Sequence, residues 1–240
     1  MIKTLPLLLR GAIELGIHLS DYQLTQFEIY HRQLLDWNEK FNLTSITTTE
    51  EIQTRHFLDS LSAVMAGIGF DDKNIIDIGS GAGFPGLPLK IVFPDIQLTL
   101  LEATGKKAGF LESLIKELKL DGVTVVNDRA ENTGHEARHR EHYGIVISRA
   151  VASLNALCEL CLPFCRVGGV LIAMKKGDLT EELEAAKPAM TLLGGQLRGI
   201  NTVRLSDLPD ERQLIIIEKT ALTPVKFPRR SGLPAKKPLC

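Results

Sequence analysis

The chain predicts an α/β fold: a mostly parallel, seven-stranded sheet with helices on both faces, preceded by a helical extension. Three observations carry that reading. Seven short, largely apolar segments have strand length, helical patterns lie between them, and a glycine-rich turn follows the first of them directly. Strands buried on both faces read as continuous apolar runs, and strand–helix alternation implies right-handed crossovers and a parallel sheet.

The elements follow in order. Residues 1–67 read as helical. Ser20 and Gln23 have capping-box spacing, and Tyr22, Phe27, Tyr30, Leu34, Leu35 and Trp37 continue at helical period until Phe41-Asn42-Leu43-Thr44 breaks it. Thr48 and Glu51 offer a second box, followed by a stripe of Ile52, His56, Leu58, Leu61, Val64 and Met65. Residues 68–222 form the sheet domain, with strands expected at Asn74–Ile78, Gln97–Glu102, Val123–Val126, Ile145–Ser148, Val170–Met174, Thr202–Leu205 and Leu214–Glu218. Ala108–Leu118 is a helix with Phe110, Leu111, Leu114, Ile115 and Leu118 on one side. Residues 223–240 form a tail whose prolines (Pro224, Pro228, Pro234, Pro238) predict extended backbone.

Composition sets bounds. The 240 residues are 44% hydrophobic and 24% charged, as in a globular protein with one sizeable core. No apolar run approaches the ~18 residues that span a bilayer. No basic leader with a cleavage site is present, and the four cysteines make no disulfide framework, so a reducing cytoplasm is expected. Net charge is −1, but from Val225 to Cys240 there are five basic residues (Lys226, Arg229, Arg230, Lys236, Lys237) and no acidic one. Such a strip suits phosphates, though a solvated tail would look the same. Lys106, Lys107, Lys175 and Lys176 lie near strand ends and could extend it.

The turn reads Asp77-Ile78-Gly79-Ser80-Gly81-Ala82-Gly83-Phe84-Pro85-Gly86. In open α/β sheets, ligands sit beyond the carboxyl ends of the strands, where strand order reverses. A phosphate loop would end in glycine-lysine-serine/threonine, which is missing. The dinucleotide fingerprint needs glycine at the sixth position from Gly79, where Phe84 stands. Glycines at 79, 81 and 83 after Asp77 match the first motif of class I, Rossmann-like methyltransferases. Glu102, at the tip of the second strand, can accept both ribose hydroxyls of an adenosine. Glu131, in the loop expected to face the adenine, is either a cofactor contact or a helix N-terminal acid favoured by the dipole. Arg149, after the fourth strand, points into the cleft or forms a surface salt bridge. His56 and Asp59, one helical turn apart, either face the cleft or pair within their helix.

Several segments together resemble the bacterial RsmG/GidB family of 16S ribosomal RNA guanine-N7 methyltransferases. They are Asn42-Leu43-Thr44, His56-Phe57-Leu58-Asp59-Ser60-Leu61, Asp77 to Pro88, Ser148-Arg149-Ala150-Val151 and Pro228 to Leu239. The resemblance spans nearly the whole chain. It implies S-adenosylmethionine as cofactor, 16S ribosomal RNA or the small subunit as partner, and N7 of one guanine as acceptor. It assigns Gly79, Phe84, Ala130, Glu131 and Arg149 to cofactor contact, with Ser80, Gly81 and Gly83 in the same turn and Glu102 on the ribose. No metal is implied, and nothing requires more than a monomer.

N7 of guanine has a lone pair and no proton to remove, so orientation and exclusion of water suffice and no general base is expected. Motifs for exocyclic-amine or pyrimidine-carbon methylation are missing, since Ser148-Arg149-Ala150-Val151 occupies the first place and Pro163-Phe164-Cys165 does not match the second. Cys158, Cys161 and Cys165 share a helical face and read as buried thiols, with Cys240 an exposed terminal one. Two rival functions remain. A nicotinamide-dependent oxidoreductase is opposed by Phe84 and by the lack of a catalytic histidine or tyrosine–lysine pair. A non-catalytic RNA-binding module is opposed by the intact turn, Glu102 and Arg149.

Overall fold

The computed structural model describes residues 5–70, 74–149, 152–208 and 210–239. Helix α1 (Pro6–Glu14) is followed by α2 (Asp21–Phe41). The Ser20 hydroxyl accepts from the Gln23 amide and the Gln23 side chain accepts from the Ser20 amide, completing the box. Asn42, at φ 51°, ends α2.

The next helical stretch departs from the expected regular stripe. It runs as α3 (Thr49–Glu51), a π-helix (Ile52–Leu58), α4 (Asp59–Leu61) and a 3-10 turn (Ser62–Ala66). Asp59 N–H reaches back to the Thr54 carbonyl, the five-residue step of a π-turn. The wider turn changes the phase of the stripe. His56, Leu58 and Leu61 are buried, whereas Met65 is 46% exposed.

The sheet comprises β1 (Asn74–Ile78), β2 (Gln97–Leu101), β3 (Val123–Val126), β4 (Tyr143–Arg149), β5 (Cys165–Lys176), β6 (Gly195–Val203) and β7 (Arg212–Lys219). Its order is β3-β2-β1-β4-β5-β7-β6, and β7 runs opposite to the other six strands. Strand order reverses between β1 and β4, which opens a crevice at their carboxyl ends.

Period-two alternation divides the core between the faces. Ile75, Leu98, Leu100, Ile145, Ile147, Ile172 and Ile216 join one cluster with Phe27, Leu34 and Phe57 of the N-terminal helices. That face is covered by α2, α5 (Gly86–Val92) and α6 (Gly105–Glu117). Ile76, Ile78, Val146, Leu171, Ile215 and Ile217 join the other, under α8 (Leu154–Cys161) and α9 (Thr180–Leu192).

Three local expectations change. The sixth strand, expected at Thr202–Leu205, runs instead over Gly195–Val203. Cys158 and Cys161 lie on α8, but Cys165 opens β5 and is not on the helix. All three thiols are buried, and burial pushes Cys158 and Cys165 up to about 12 and raises Cys161 well above its ordinary value, so they are inert. The tail is not wholly extended, because Leu233–Lys236 form one helical turn, α10, with Pro234 at its start, where a missing N–H costs nothing. Cys240, Ala150 and Val151 lie outside the described residues.

Candidate active site

The glycine turn hangs from the sheet by its own backbone. Gly79 and Ser80 amides donate to the Leu101 carbonyl at 2.8 and 3.2 Å. Gly79, Gly81 and Gly83 have φ of 74°, 60° and 97°. At Gly83 the requirement is also steric, since a Cβ would lie 2.6 Å from both the Tyr30 hydroxyl and a Leu87 methyl. Asp77 is fully buried, and its Oδ2 accepts from the Gly86 amide at 2.9 Å. Its Oδ1 has no partner among the described residues, and burial raises the carboxyl to about 7.

The N-terminal helices build the opposite wall. Tyr30 of α2 stacks on Phe84 (5.2 Å, 1°) and donates to the Ala82 carbonyl at 2.5 Å. His56 of the π-helix also stacks on Phe84, at 4.3 Å and 9°. Its Nδ1 lies 3.4 Å from the Arg149 guanidinium and its Nε2 2.9 Å from the Thr44 hydroxyl. A guanidinium can only donate, so Nδ1 accepts and the ring proton sits on Nε2. Arg149 donates to the Arg55 carbonyl at 2.9 Å and to Asp59 Oδ2 at 2.8 Å, over the Phe84 ring at 5.1 Å. Asp59 Oδ1 accepts from Arg212 Nε at 2.6 Å. One buried carboxylate thus joins two arginines, from the ends of β4 and β7.

Burial, helped by Arg149, holds the His56 imidazole down at about 3, against an ordinary 6.5. The unfolded chain therefore binds more protons between those values, and the stability His56 contributes is full above 6.5 and is lost as pH falls toward 3. Asp77 acts in the opposite sense, costing stability as pH rises from 3.8 to about 7. Comparing His56→Gln with the parent cancels the Asp77 part. The variant is expected to lose less stability between pH 7 and pH 5 in urea titrations; equal losses would refute the assignment.

These walls enclose a cleft of about 590 Å³, within the usual range for a small-molecule site. Gly79, Ser80, Gly81, Ala82 and Phe84 form its floor. Six basic side chains line it (Arg55, Lys107, Arg149, Lys175, Lys176, Arg212) against three acidic ones (Asp59, Glu182, Asp210). The cleft is electropositive on a chain of net charge −1.

Residues 23–215 match the model of the GidB family, described as rRNA small subunit methyltransferase G. The chain is 51% identical over 232 residues to the ribosomal RNA small subunit methyltransferase G of Dehalococcoides mccartyi strain CBDB1, covering 97% of this chain and 98% of that one. The chain belongs to the GidB family. The enzyme of the same name from Alkaliphilus metalliredigens is 46% identical, over 95% of this chain and 96% of its own. The fold is shared more widely. A precorrin-6y C5,15-methyltransferase structure from Geobacter metallireducens superposes with a TM-score of 0.51 at 16% identity, covering 68% of this chain and 88% of that one.

As a GidB protein the chain is an S-adenosylmethionine-dependent methyltransferase, and the floor of its cleft fits that cofactor. The backbone at Gly79 and Gly81 is bare and in the left-handed region, which allows close approach of a ligand. Glu102 lies behind it, 6% exposed, with Oε2 accepting from Gly81 N at 2.9 Å and Oε1 from Thr104 N at 2.7 Å. A carboxylate has about four acceptor sites, so two backbone bonds leave room for ribose hydroxyls.

Ala130, Glu131 and the basic residues of the tail in this GidB chain are not among the residues that line the cleft. Ala130 opens the short helix α7 (Ala130–Thr133) and packs on the second core cluster. Glu131 follows it, buried, and its Oε1 accepts from the Gly232 amide at 2.6 Å, so its observed partner is the tail. Arg229 departs from the expected phosphate strip. It pairs with Glu159, which is fully buried on α8. Phe227 enters the second core cluster, and Arg140 donates to the carbonyls of Thr223 and Phe227. The tail is therefore a docked segment, with Lys226, Arg230, Lys236 and Lys237 exposed. Lys175 is half-buried and bound to Glu182, Lys107 lines the cleft, and Lys106 and Lys176 are exposed. Sequence reasoning did not find Arg212 as part of the cleft or Tyr30 as the buried support beneath Phe84, and Thr44 stood only within a family motif.

Proposed function

We propose that the chain methylates N7 of one guanine in small-subunit ribosomal RNA by direct in-line transfer, without a general base. The observation that carries this is the condition of the three acids that line the cleft. Asp59 is held by two arginines, Glu182 by Lys175 and the Leu154 amide, and Asp210 lies beside Arg212. His56 stays neutral and too weakly basic to take a proton. An acceptor with a lone pair and no proton to shed suits these surroundings.

S-adenosylmethionine supplies a methyl group already activated on a sulfonium. The chain's own part is to place it. The glycine turn at Gly79, Ser80, Gly81 and Gly83, with Glu102, holds the cofactor. Phe84 and Arg149, braced by His56 and Asp59, shape the wall against which the guanine lies. Fixing the two reactants in line can account for several orders of magnitude in rate. The basic lining suits RNA phosphates, which position without reading sequence. In this reading residues 68–222 bind the cofactor, 1–67 close the cleft and 223–240 brace the adenine-side loop.

Small ribosomal subunits lacking the modification, incubated with enzyme and methyl-labelled S-adenosylmethionine, should yield label only in 7-methylguanosine. Label in a pyrimidine or on an exocyclic amine would overturn the proposal. Glu102→Ala should weaken cofactor binding roughly 10- to 100-fold in calorimetry, as expected for losing charge-assisted hydrogen bonds. An unchanged Kd would remove Glu102 from the site.

A further inference from the structure

We propose that Phe41 and Lys106 form a stacking platform for an unpaired RNA base adjacent to the target guanine, an inference that rests on the RNA substrate proposed above. Phe41 is the last residue of α2 and is 38% exposed. Its ring is not loose. It leans on Trp37 at 5.3 Å and 42°, and Trp37 meets the buried Phe110 edge-on at 5.5 Å. The ammonium of Lys106 lies 5.6 Å from the Phe41 ring centre. Among the described residues no carboxylate forms an ion pair with Lys106.

Position gives the pair its meaning. Leu43 and Thr44, just past Phe41, line the cleft, as does Lys107, the neighbour of Lys106. The α2 break at Asn42 therefore leaves a supported aromatic ring and a free ammonium at the rim of an electropositive cleft.

The chemistry of the substrate supplies the need. In an A-form helix N7 of guanine faces the deep, narrow groove that side chains cannot enter. The target base must leave its stack to reach the cleft, which uncovers the face of a neighbouring base. A flat aromatic surface beside the cleft covers that face again as the Lys106 ammonium, which lies over the Phe41 ring, turns to the adjoining phosphate. Such stacking tolerates any base, so the platform binds without reading sequence.

The test uses the full-length enzyme and small ribosomal subunits lacking the modification. Phe41→Leu keeps an apolar contact for Trp37 and removes the π-face, which protects the fold better than Phe41→Ala. It is expected to raise KM for the subunits roughly tenfold, in line with alanine substitutions at other stacking sites, and to leave the Kd for S-adenosylmethionine unchanged. Phe41→Trp should restore KM. Lys106→Gln should lower the slope of log affinity against log salt by about 1, while Phe41→Leu leaves that slope alone. A parental KM in Phe41→Leu, or a weakened cofactor Kd with no effect on the subunit KM, overturns the platform. If the parent enzyme does not methylate the subunits, the RNA reading itself has failed, so the two failures are distinct.

Discussion

Asp59→Ala should be among the most damaging single substitutions in this protein. Arg149 and Arg212, whose side chains are 13% and 9% exposed, would face one another with no carboxylate between them. Removing one partner from a buried ionic cluster typically costs about 3–5 kcal/mol. For a domain of this size that corresponds to a fall in Tm on the order of 10 °C. The cleft should suffer more than the fold. Arg149 would lose its strongest fixed point over Phe84, so cofactor affinity and turnover should fall together. Asp59→Asn should be intermediate, since an amide can still accept from one arginine but presents N–H groups to the other. High salt should not restore the alanine variant, because buried pairs are little screened. Thermal melts with cofactor calorimetry decide the matter; a parental Tm and Kd would mean that the arginines are held by other contacts.

Arg229→Ala should destabilise the protein before it weakens RNA binding. Glu159 has no exposure, and both of its oxygens accept from Arg229, at 2.6 to 3.0 Å. Truncating Arg229 removes the guanidinium and leaves that carboxylate in an apolar layer with the residue-229 amide still donating to it. The expected cost is about 3 kcal/mol, at the low end for buried pairs because the Arg229 side chain is itself 24% exposed. The double variant Arg229→Leu/Glu159→Leu should recover most of the loss, since an apolar pair in place of a buried ion pair is often neutral. A surface phosphate contact would behave differently, with Tm unchanged and a shallower salt dependence of RNA binding.

The two arginines also show what could be read from the chain. The sheet was legible because strands covered on both faces must be apolar, and Asn74–Ile78 and Val123–Val126 lie where their patterns place them. The glycine turn and the positions of Glu102 and Arg149 were legible because each is local to a strand end. Arg212 was not, because its place in the cleft depends on β7 running backwards, which delivers the start of that strand to the edge where its neighbours end. Tyr30 looked like any aromatic on a helical stripe until the turn closed under it. Arg229 was misread because charge in a proline-rich tail has a ready explanation as a solvated strip. A signal did exist: Leu154–Cys161 is an apolar helix with a single charged residue, Glu159, and a lone acid there needs a cation from elsewhere. The π-turn at 52–58 left no such mark, because its residues also satisfy an ordinary helical stripe.

The link between Asp59 and Arg212 joins residues 153 positions apart. It therefore sets when the enzyme can exist. A growing chain that has completed the glycine turn and the first four strands holds the floor of the cleft but only part of its charged wall. That wall closes only when β7, the last strand of the sheet in chain order, has been made and laid in reverse beside β5. Half-made copies then hold the floor without the finished wall, and the complete cleft waits on β7.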